Sequence, residues 1–437
     1  MQPRAEPGLG TAHARDVARR GKDRCLPAAA RAAEADESAR REGESHDTRQ
    51  QEAGRRRGAE KQAEETTVVR LGRARPAFGA FALTLGLVPA RADAEPPPSA
   101  IVVSEFIYDR APFPSAHAST VVETRDGLLA AWFGGTAEGR PDVGIWCARR
   151  SSTGWSAPVE VATGAQPDGK RLPCWNPVLF RPSAGPLLLF YKVGPSPREW
   201  WGLLRTSRDE GRTWSGAIPL PPGFLGPIRA KPVELANGEL LSGSSTEHAG
   251  WVVHMERLVV GASPTSGGWT PGALASASAW HRVGPLNDPR EFAAIQPTIL
   301  LHSPTRVQIL CRSRQGVITE AWSSDAGRSW SRMSATTLPN PSAGIDSLRL
   351  ADGRFLLAYN PTTEGRQKLE IAVSDDGKAW HRGVVLEDAA GEYSYPALIV
   401  SQDGRVHVTY TWQRQRIKHV VIDPARIDGS GSRSGDR

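Results

Sequence analysis

Short apolar runs of about four to seven residues follow one another from residue 100 to about residue 424, separated by Gly, Pro, Asp and Asn. Apolar runs bounded by turn residues are typical of β-strands, and this region shows no helical period. The composition agrees, because Gly 44, Pro 35 and Trp 14 against Met 3 favour many turns and aromatic packing. The pattern therefore predicts an all-β fold.

One turn motif recurs along these strands. Residues 207–215 and 323–331 share Ser-x-Asp-x-Gly-x-(Thr/Ser)-Trp-Ser, residues 374–380 form a shorter copy and 151–156 a degenerate one; 267–270 is a further candidate. In such a turn the Ser and Asp side chains bond to backbone amides, Gly accepts a positive φ and Trp packs between neighbouring units. The motif is thus expected to stabilise the fold and to carry no chemistry.

A second series consists of strands that begin with a polar residue and end in a turn. Their starts lie at positions 117, 176, 231, 296, 346 and 395, at intervals of 49 to 65 residues. Six such units predict a six-bladed β-propeller, with four strands in each blade. Three strands remain after Tyr395, so the run Ile101–Ile107 is expected to complete the last blade and close the ring.

The inner strands of a propeller open at one face, which places the six strand starts around a central pocket. All six are polar or ionisable, on strands that are otherwise apolar: His117, Asn176, Lys231, Gln296, Asp346 and Tyr395. This pattern favours a binding site, in which Asn176 and Asp346 are also candidates for satisfying backbone groups around the pore. Trp132, Trp175 and Trp251 are candidates for stacking on sugars, although core packing is the commoner role of such residues.

The repeats resemble the Asp-boxes of the sialidase (neuraminidase) superfamily, and the resemblance covers essentially all of 100–424. Arg312-Ser313 precedes an Asp-box, and Arg366-Gln367-Lys368-Leu369 lies 29 residues before Tyr395, as in sialidases. The resemblance implies that Arg312 and Arg366 hold a substrate carboxylate. It also implies that Tyr395 acts at the anomeric carbon, as nucleophile or charge stabiliser, and that Glu138 or Asp142 is the acid.

Two positions depart from the sialidase pattern. His117 stands where sialidases have the first arginine, and Gln296 lies near the position of the glutamate that activates the tyrosine. The leading hypothesis is a sialidase-like glycoside hydrolase (exo-α-sialidase-like) acting on an acidic sugar of a glycan. The alternatives are a uronate-polysaccharide lyase using His117 and Tyr395, and a carbohydrate-binding propeller without turnover.

The first 94 residues differ in character from the rest. Residues 1–67 are interpreted as a disordered or mis-annotated extension, because they are rich in Arg, Glu, Ala and Gln. Residues 68–94 combine a basic flank, an apolar run of about a dozen residues and an Ala-x-Ala site, which predicts a signal peptide and a secreted or periplasmic protein. The run is too short for a stable membrane span of about 20 residues. The propeller is assigned to 95–425, and 426–437 to a disordered tail.

The net charge of +7 does not indicate a nucleic-acid partner. Residues 1–94 hold 18 Lys/Arg and 14 Asp/Glu, so only about +3 of the charge belongs to the remainder, where basic residues are scattered. No Cys-x-x-Cys or His-x-x-x-His spacing is present, so no metal or other cofactor is predicted. The expected partner is a glycan substrate, and the sequence assigns no oligomeric state.

Overall fold

The computed structural model describes residues 99–260 and 269–427, which form a six-bladed β-propeller. Five sheets have four strands and one has five, so the predicted all-β class and the blade number are confirmed. The predicted extension (1–67), the signal peptide (68–94) and the tail from 428 onward lie outside the described residues. Within the described ranges, no helix has the length and apolar character needed to cross a membrane.

The strands follow the chain from blade to blade. Blade 1 contains β2 (Ser115–Thr124), β3 (Gly127–Gly135), β4 (Gly144–Ser151), β5 (Gly154–Trp155) and β6 (Val159–Ala162); blade 2 contains β7 (Cys174–Phe180), β8 (Leu187–Val193), β9 (Trp201–Ser207) and β10 (Ile218–Pro219). Blade 3 contains β11 (Val233–Glu234), β12 (Leu240–Thr246), β13 (Val252–Leu258) and β14 (Trp280–Val283); blade 4 contains β15 (Ala294–Leu301), β16 (Val307–Ser313), β17 (Val317–Ser323) and β18 (Ser334–Pro339). Blade 5 contains β19 (Asp346–Arg349), β20 (Phe355–Tyr359), β21 (Lys368–Ser374) and β22 (His381–Asp388); blade 6 contains β23 (Tyr393–Val400), β24 (Val406–Trp412), β25 (Arg416–Ile422) and β1 (Ile101–Phe106). One short helix, α1 (Pro271–Ala275), and two 3₁₀ turns, Ala277–Ala279 and Pro424–Arg426, complete the described structure.

The first strand closes the ring, as the sequence predicts. Strand β1 pairs antiparallel with β25, with Ile101 opposite Ile422 and Phe106 opposite Lys418. Blade 6 is therefore built from the first and the last strands of the propeller, and β1 is its outer strand. Ile427, two residues beyond the predicted end of the propeller, is buried in one cluster with Val373 and Val384 of blade 5.

The hydrophobic core lies between the blades. Strand β8 is buried along its whole length, and its Leu188 shares one apolar cluster with Leu240 of blade 3. A second cluster joins Leu300 of blade 4 to Leu357 of blade 5 in the same way. Because both faces of each sheet meet a neighbouring sheet, the strands read as continuous apolar runs, which is the pattern visible in the sequence.

The Asp-box turns have the predicted internal bonds. In the copy of blade 4, the Ser323 hydroxyl donates to Asp325 Oδ1 at 2.8 Å and accepts the Gly327 amide at 2.8 Å. Gly327 has a φ of +81°, and a Cβ there would lie 2.9 Å from Leu241 of blade 3. Two features therefore favour glycine here: the positive φ of the backbone and the close approach of Leu241 from the neighbouring blade 3. At 267–270, the two glycines lie outside the described residues, and Thr270 is the N-cap of α1.

Two adjacent serines allow a matched test of the Asp-box. We expect Ser323→Ala to lower the free energy of unfolding by about 1–2 kcal/mol, because it leaves the buried Gly327 amide without its acceptor. Ser324 is exposed, so Ser324→Ala is expected to change stability by less than about 0.5 kcal/mol. Urea unfolding of both variants measures the difference, and equal midpoints would contradict the structural role of the motif.

A buried histidine pair connects the closing strand to blade 6. His419 Nδ1 donates to Glu105 of β1 at 2.9 Å, and His419 Nε2 lies 3.0 Å from His407 Nδ1. Glu105 also accepts hydrogen bonds from Arg150 and Trp155 of blade 1. The hydrogen bond from His419 lowers the pKa of Glu105 to about 2, while burial lowers the pKa of His407 to about 4. The closure thus depends on an ionised carboxylate beside two neutral imidazoles.

The propeller is expected to lose stability between pH 6.5 and pH 4. His407 has a folded pKa below its unfolded value, so the unfolded chain binds the extra proton in this window and is favoured as the pH falls. A difference of this size corresponds to about 3 kcal/mol. Urea unfolding at pH 7 and pH 4 measures the loss. It should be smaller in His407→Gln and unchanged in His281→Gln, an exposed control; an unchanged loss in His407→Gln would contradict the assignment.

Candidate functional site

Four inner strands share an irregularity at the same face of the propeller. Ala118, Asn176, Gln296 and Tyr395 have φ values of 55°, 37°, 57° and 55°, and the pairing register of each strand shifts immediately afterwards. Three of them precede proline, which donates no hydrogen bond to the ladder and so suits a β-bulge. A left-handed conformation costs a non-glycine residue about 1–2 kcal/mol, and such strain concentrates at functional sites.

Tyr395 lies among three guanidinium groups. Arg312 Nη1 donates to the Tyr395 hydroxyl at 2.7 Å. The Cζ atoms of Arg229, Arg312 and Arg366 lie 5.2, 5.6 and 5.9 Å from the centre of the tyrosine ring. Burial lowers the pKa of Arg229 to about 10, so it remains a cation at neutral pH. Three cations around one tyrosine ring, one of them bonded to its hydroxyl, form a candidate site for an anionic ligand.

Some of these donors have no internal acceptor. Within the described residues, Nε and Nη1 of Arg229 and Nε of Arg312 are buried and make no hydrogen bond. Buried N–H groups usually have partners, and a charged group left unpaired is costly. The excess of donors over acceptors is what a carboxylate ligand, with its two oxygens, would relieve.

His117 packs directly against Tyr395. The two ring centres are 4.1 Å apart, and His117 is 1% exposed. Burial, together with Arg414, Arg366, Arg229 and Arg312, holds the pKa of His117 well below its ordinary value. The imidazole is therefore neutral at physiological pH and is able to accept a proton, whereas the amide of Gln296 is not.

The carboxylates predicted as acids lie in a surface loop of blade 1. Glu138 pairs with Arg414, which also donates to Glu392 at 3.0 Å. Asp142 accepts a hydrogen bond from the Thr136 amide at 2.7 Å and another from the Thr136 hydroxyl. These bonds lower the pKa of Asp142, which favours its ionised form. Each carboxyl group thus already has a partner, Arg414 for Glu138 and Thr136 for Asp142.

The structure places Lys231 and Asp346 away from the Tyr395 hydroxyl. Lys231 Nζ donates to Asp346 Oδ2 at 2.9 Å, and the same oxygen accepts the Leu398 amide at 2.9 Å. Lys231 lines a cavity with Glu123 and Gln402, at the far ends of the inner strands. This pair therefore joins blades 3, 5 and 6 below the site.

The remaining predicted residues divide between the site and the core. Asn176 and Gln296 are buried on their bulges, and the side-chain oxygen of Gln296 has no hydrogen-bond partner in the described residues. Trp132 is completely buried against Tyr108, so it is unable to stack on a sugar as the sequence had allowed. Trp251 is partly exposed and faces Arg312, with 5.0 Å between the guanidinium and the ring centre.

The fold and the site lead to a family. Residues 126–408 match the BNR repeat-like domain, which is about two thirds of the chain. The protein belongs to the BNR repeat-like domain family. A search of curated proteins gives no match to this sequence. Within the described residues of this BNR repeat protein, no group of three or more His, Cys, Asp or Glu side chains is arranged to hold a metal ion.

Solved structures show the same propeller. A protein of unknown function from Dyadobacter fermentans DSM 18053 superposes with a TM-score of 0.59 at 17% identity, over 75% of this chain and 99% of that chain. The NanB sialidase from Streptococcus pneumoniae gives 0.56 at 10% identity, over 76% and 71%. The intramolecular trans-sialidase from Ruminococcus gnavus gives 0.55 at 12% identity, over 76% and 99%. At these identities the similarity establishes the fold of the BNR repeat protein.

Sequence reasoning missed Arg229 and Arg414 at the site, and Glu247 in one of the loops at the same face. Arg229 was passed over for Lys231, which precedes a proline as Asn176 and Tyr395 do. Arg414 and Glu247 lie in loops between the second and third strands of their blades. The position of these residues in the blade could have identified them. Asp142 in blade 1 and Arg366 in blade 5 lie in the equivalent loop, between the second and third strands. Charged residues in that loop of every blade were candidates for the same face.

Proposed function

We propose that this BNR repeat protein is an exported, sialidase-like glycoside hydrolase that removes an acidic sugar from a glycan. The proposal rests mainly on the hydrogen bond between Arg312 and the Tyr395 hydroxyl, with Arg229 and Arg366 about 5–6 Å from the same ring. The arginines bind the carboxylate of the sugar, and this fixes the anomeric carbon near Tyr395. The solved structures with the same fold include proteins that are named sialidases, such as the NanB sialidase from Streptococcus pneumoniae.

We assign the deprotonation of Tyr395 to the residues that surround it. An ordinary tyrosine has a pKa of about 10, so ionisation at pH 7 costs roughly 4 kcal/mol. Gln296 is unable to take the proton, but the neutral imidazole of His117 lies against the tyrosine ring. In this proposal His117 accepts the phenolic proton as the anomeric carbon becomes electron-poor, and the arginines stabilise the negative charge on the oxygen.

The test compares glycans that differ only in charge. The wild-type protein is incubated with sialylated and uronate-terminated oligosaccharides, and with the matching neutral sugars in which the carboxylate is reduced to an alcohol. Release of the terminal sugar from an acidic substrate, and at least roughly tenfold slower release from its neutral partner, is the expected result. No release from any acidic glycan would refute the proposed activity.

A second candidate is a uronate lyase on the same residues. It is favoured by one observation, the neutral His117 next to Tyr395, because β-elimination requires a base for the proton α to the carboxylate and an acid for the leaving oxygen. The two reactions give different products. A lyase forms an unsaturated uronate that absorbs ultraviolet light, whereas a hydrolase consumes water and gives a saturated sugar. Absorbance during the same incubations separates them, and tight sugar binding without any product would favour a binding propeller.

A further inference from the structure

The loop between β12 and β13 carries a carboxyl group to the face of Tyr395. Glu247 directly follows β12, and Trp251 directly precedes β13. This is the connection between the second and third strands of blade 3, equivalent to the loops that hold Asp142, Arg366 and Arg414. The inner strand of blade 4, β15, is bonded to β12: the backbone N–H of Gln296 donates to the Ser245 hydroxyl at 3.3 Å. Glu247 thus lies two residues from a contact with the bulge of blade 4.

The surroundings of Glu247 connect it to the proposed centre. It is half-buried, and Trp251 follows it four residues later in the same loop. The Trp251 ring contacts the Arg312 guanidinium, which in turn donates to the Tyr395 hydroxyl. Burial raises the pKa of Glu247, in contrast to Asp142 and Glu392, whose pKa values are lowered. Glu247 therefore holds its proton more readily than either of them.

A groove opens beside Glu247, between blades 2 and 3. Its volume is about 250 Å³, and Glu247 forms part of its wall together with Trp201, Phe224, Arg198 and Arg282. Pockets for drug-sized ligands measure roughly 300–1,000 Å³, so this groove suits a single sugar ring. An aromatic wall with charged hydrogen-bonding groups at its rim is the chemistry that sugar rings require, because their C–H faces stack and their hydroxyls bond.

The groove also lies close to the inner strands. Trp200, in its wall, packs edge-on against Trp175 with 6.0 Å between ring centres. Trp175 directly precedes Asn176 on the bulge of blade 2. The groove therefore adjoins the start of the inner strand of blade 2.

We propose that the groove holds the leaving sugar of the substrate and that Glu247 donates the proton to its oxygen. This inference rests on the proposed hydrolase function. The bond between the anomeric carbon and the leaving oxygen breaks, and its electron pair stays on that oxygen, which takes the proton of Glu247. Water then bonds to the anomeric carbon and gives a proton to the Glu247 carboxylate, while His117 returns its proton to the Tyr395 oxygen. One glycoside and one water thus give the free acidic sugar, as a hemiacetal or hemiketal, and one alcohol.

The test uses the dependence of the rate on the leaving group. Wild type, Glu247→Gln and Asp142→Asn are compared on an acidic-sugar oligosaccharide and on the 2,4-dinitrophenyl glycoside of the same sugar, whose leaving oxygen needs no proton. Glu247→Gln is expected to lose roughly 10²-fold in kcat/KM on the oligosaccharide and less than about tenfold on the aryl glycoside. Its rate should also lose the decline at alkaline pH, which reports ionisation of the acid. Asp142→Asn is expected to change both substrates equally and by less than about tenfold.

The outcomes separate this inference from the function itself. If wild type releases sugar but Glu247→Gln loses the same factor on both substrates, or loses nothing, Glu247 is not the proton donor. If only Asp142→Asn shows the dependence on the leaving group, the acid is Asp142. If wild type cleaves neither substrate, the hydrolase proposal fails. Trp201→Ala tests the groove: KM should rise for the oligosaccharide alone, and an equal change on the aryl glycoside would place the leaving sugar elsewhere.

Discussion

Tyr395→Phe is expected to lower kcat/KM on an acidic-sugar glycoside by roughly 10²–10⁴-fold, the range typical of a lost proton-transfer group. The variant removes one oxygen, the acceptor of the 2.7 Å hydrogen bond from Arg312. The aromatic ring stays, so its contacts with His117 and with the guanidinium of Arg229 are kept. Substrate binding should change little, because the carboxylate is held by the arginines and not by the phenol.

Tyr393 provides the matched control for this substitution. It lies two residues away on the same strand, is 2% exposed and bonds through its hydroxyl to the Ala390 carbonyl at 3.3 Å. Tyr393→Phe should cost about 1 kcal/mol of stability and leave kcat/KM nearly unchanged. Steady-state kinetics and calorimetric binding of the product sugar measure both variants. Wild-type turnover by Tyr395→Phe would remove Tyr395 from the reaction.

The fold was predictable because its repeats are local. Each Asp-box forms its hydrogen bonds between nearby residues, such as Ser323, Asp325 and Gly327. The motif can therefore be identified from a short stretch of sequence alone. The spacing of the strand starts then set the blade number. Closure by Ile101–Phe106 followed from counting, because blade 6 lacked one strand and an unpaired edge is unfavourable.

The register of the site was less accessible to sequence analysis. Ala118, and not His117, occupies the bulge position that Asn176, Gln296 and Tyr395 occupy in their blades. The first blade has no proline after this residue, so the mark of the bulge is missing there. His117 nevertheless lies against Tyr395 of blade 6, with 4.1 Å between the ring centres. A backbone feature that shifts side chains by one position is difficult to infer from residue types alone.

Contacts between distant residues account for the other differences. Lys231 and Asp346 are 115 residues apart, and nothing local indicates that they form a pair below the site. Arg229 is buried near Tyr395 although the segment before β11 is irregular, so no strand pattern pointed to it. Residues that act through such non-local pairing become visible only when the ring is closed. The sequence indicated which residues are charged, but not how far each lies from the Tyr395 hydroxyl along the propeller axis.

Asp346→Ala is expected to lower the free energy of unfolding by about 3–5 kcal/mol, the cost of breaking a buried charged pair. Asp346 Oδ2 accepts hydrogen bonds from Lys231 and from the Leu398 amide, while Oδ1 accepts the Thr298 hydroxyl at 2.9 Å. Its removal leaves donors of three blades unsatisfied. Since the Lys231 side chain remains 24% exposed, water relieves part of the cost, which favours the lower end of the range.

Asp352 of the same blade is the control, since it pairs with Arg354 at the surface and is half-exposed. Asp352→Ala should cost less than about 1 kcal/mol. Urea unfolding measures both variants, with a lower midpoint and an unchanged slope expected for Asp346→Ala. If that variant fails to fold, Asp346→Asn serves instead, and adding Lys231→Met should recover part of the loss. Equal midpoints for the two alanine variants would contradict the role of Asp346. Because Leu398 lies three residues after Tyr395 on β23, a loosened Asp346 contact should also reduce turnover, but by less than Tyr395→Phe does.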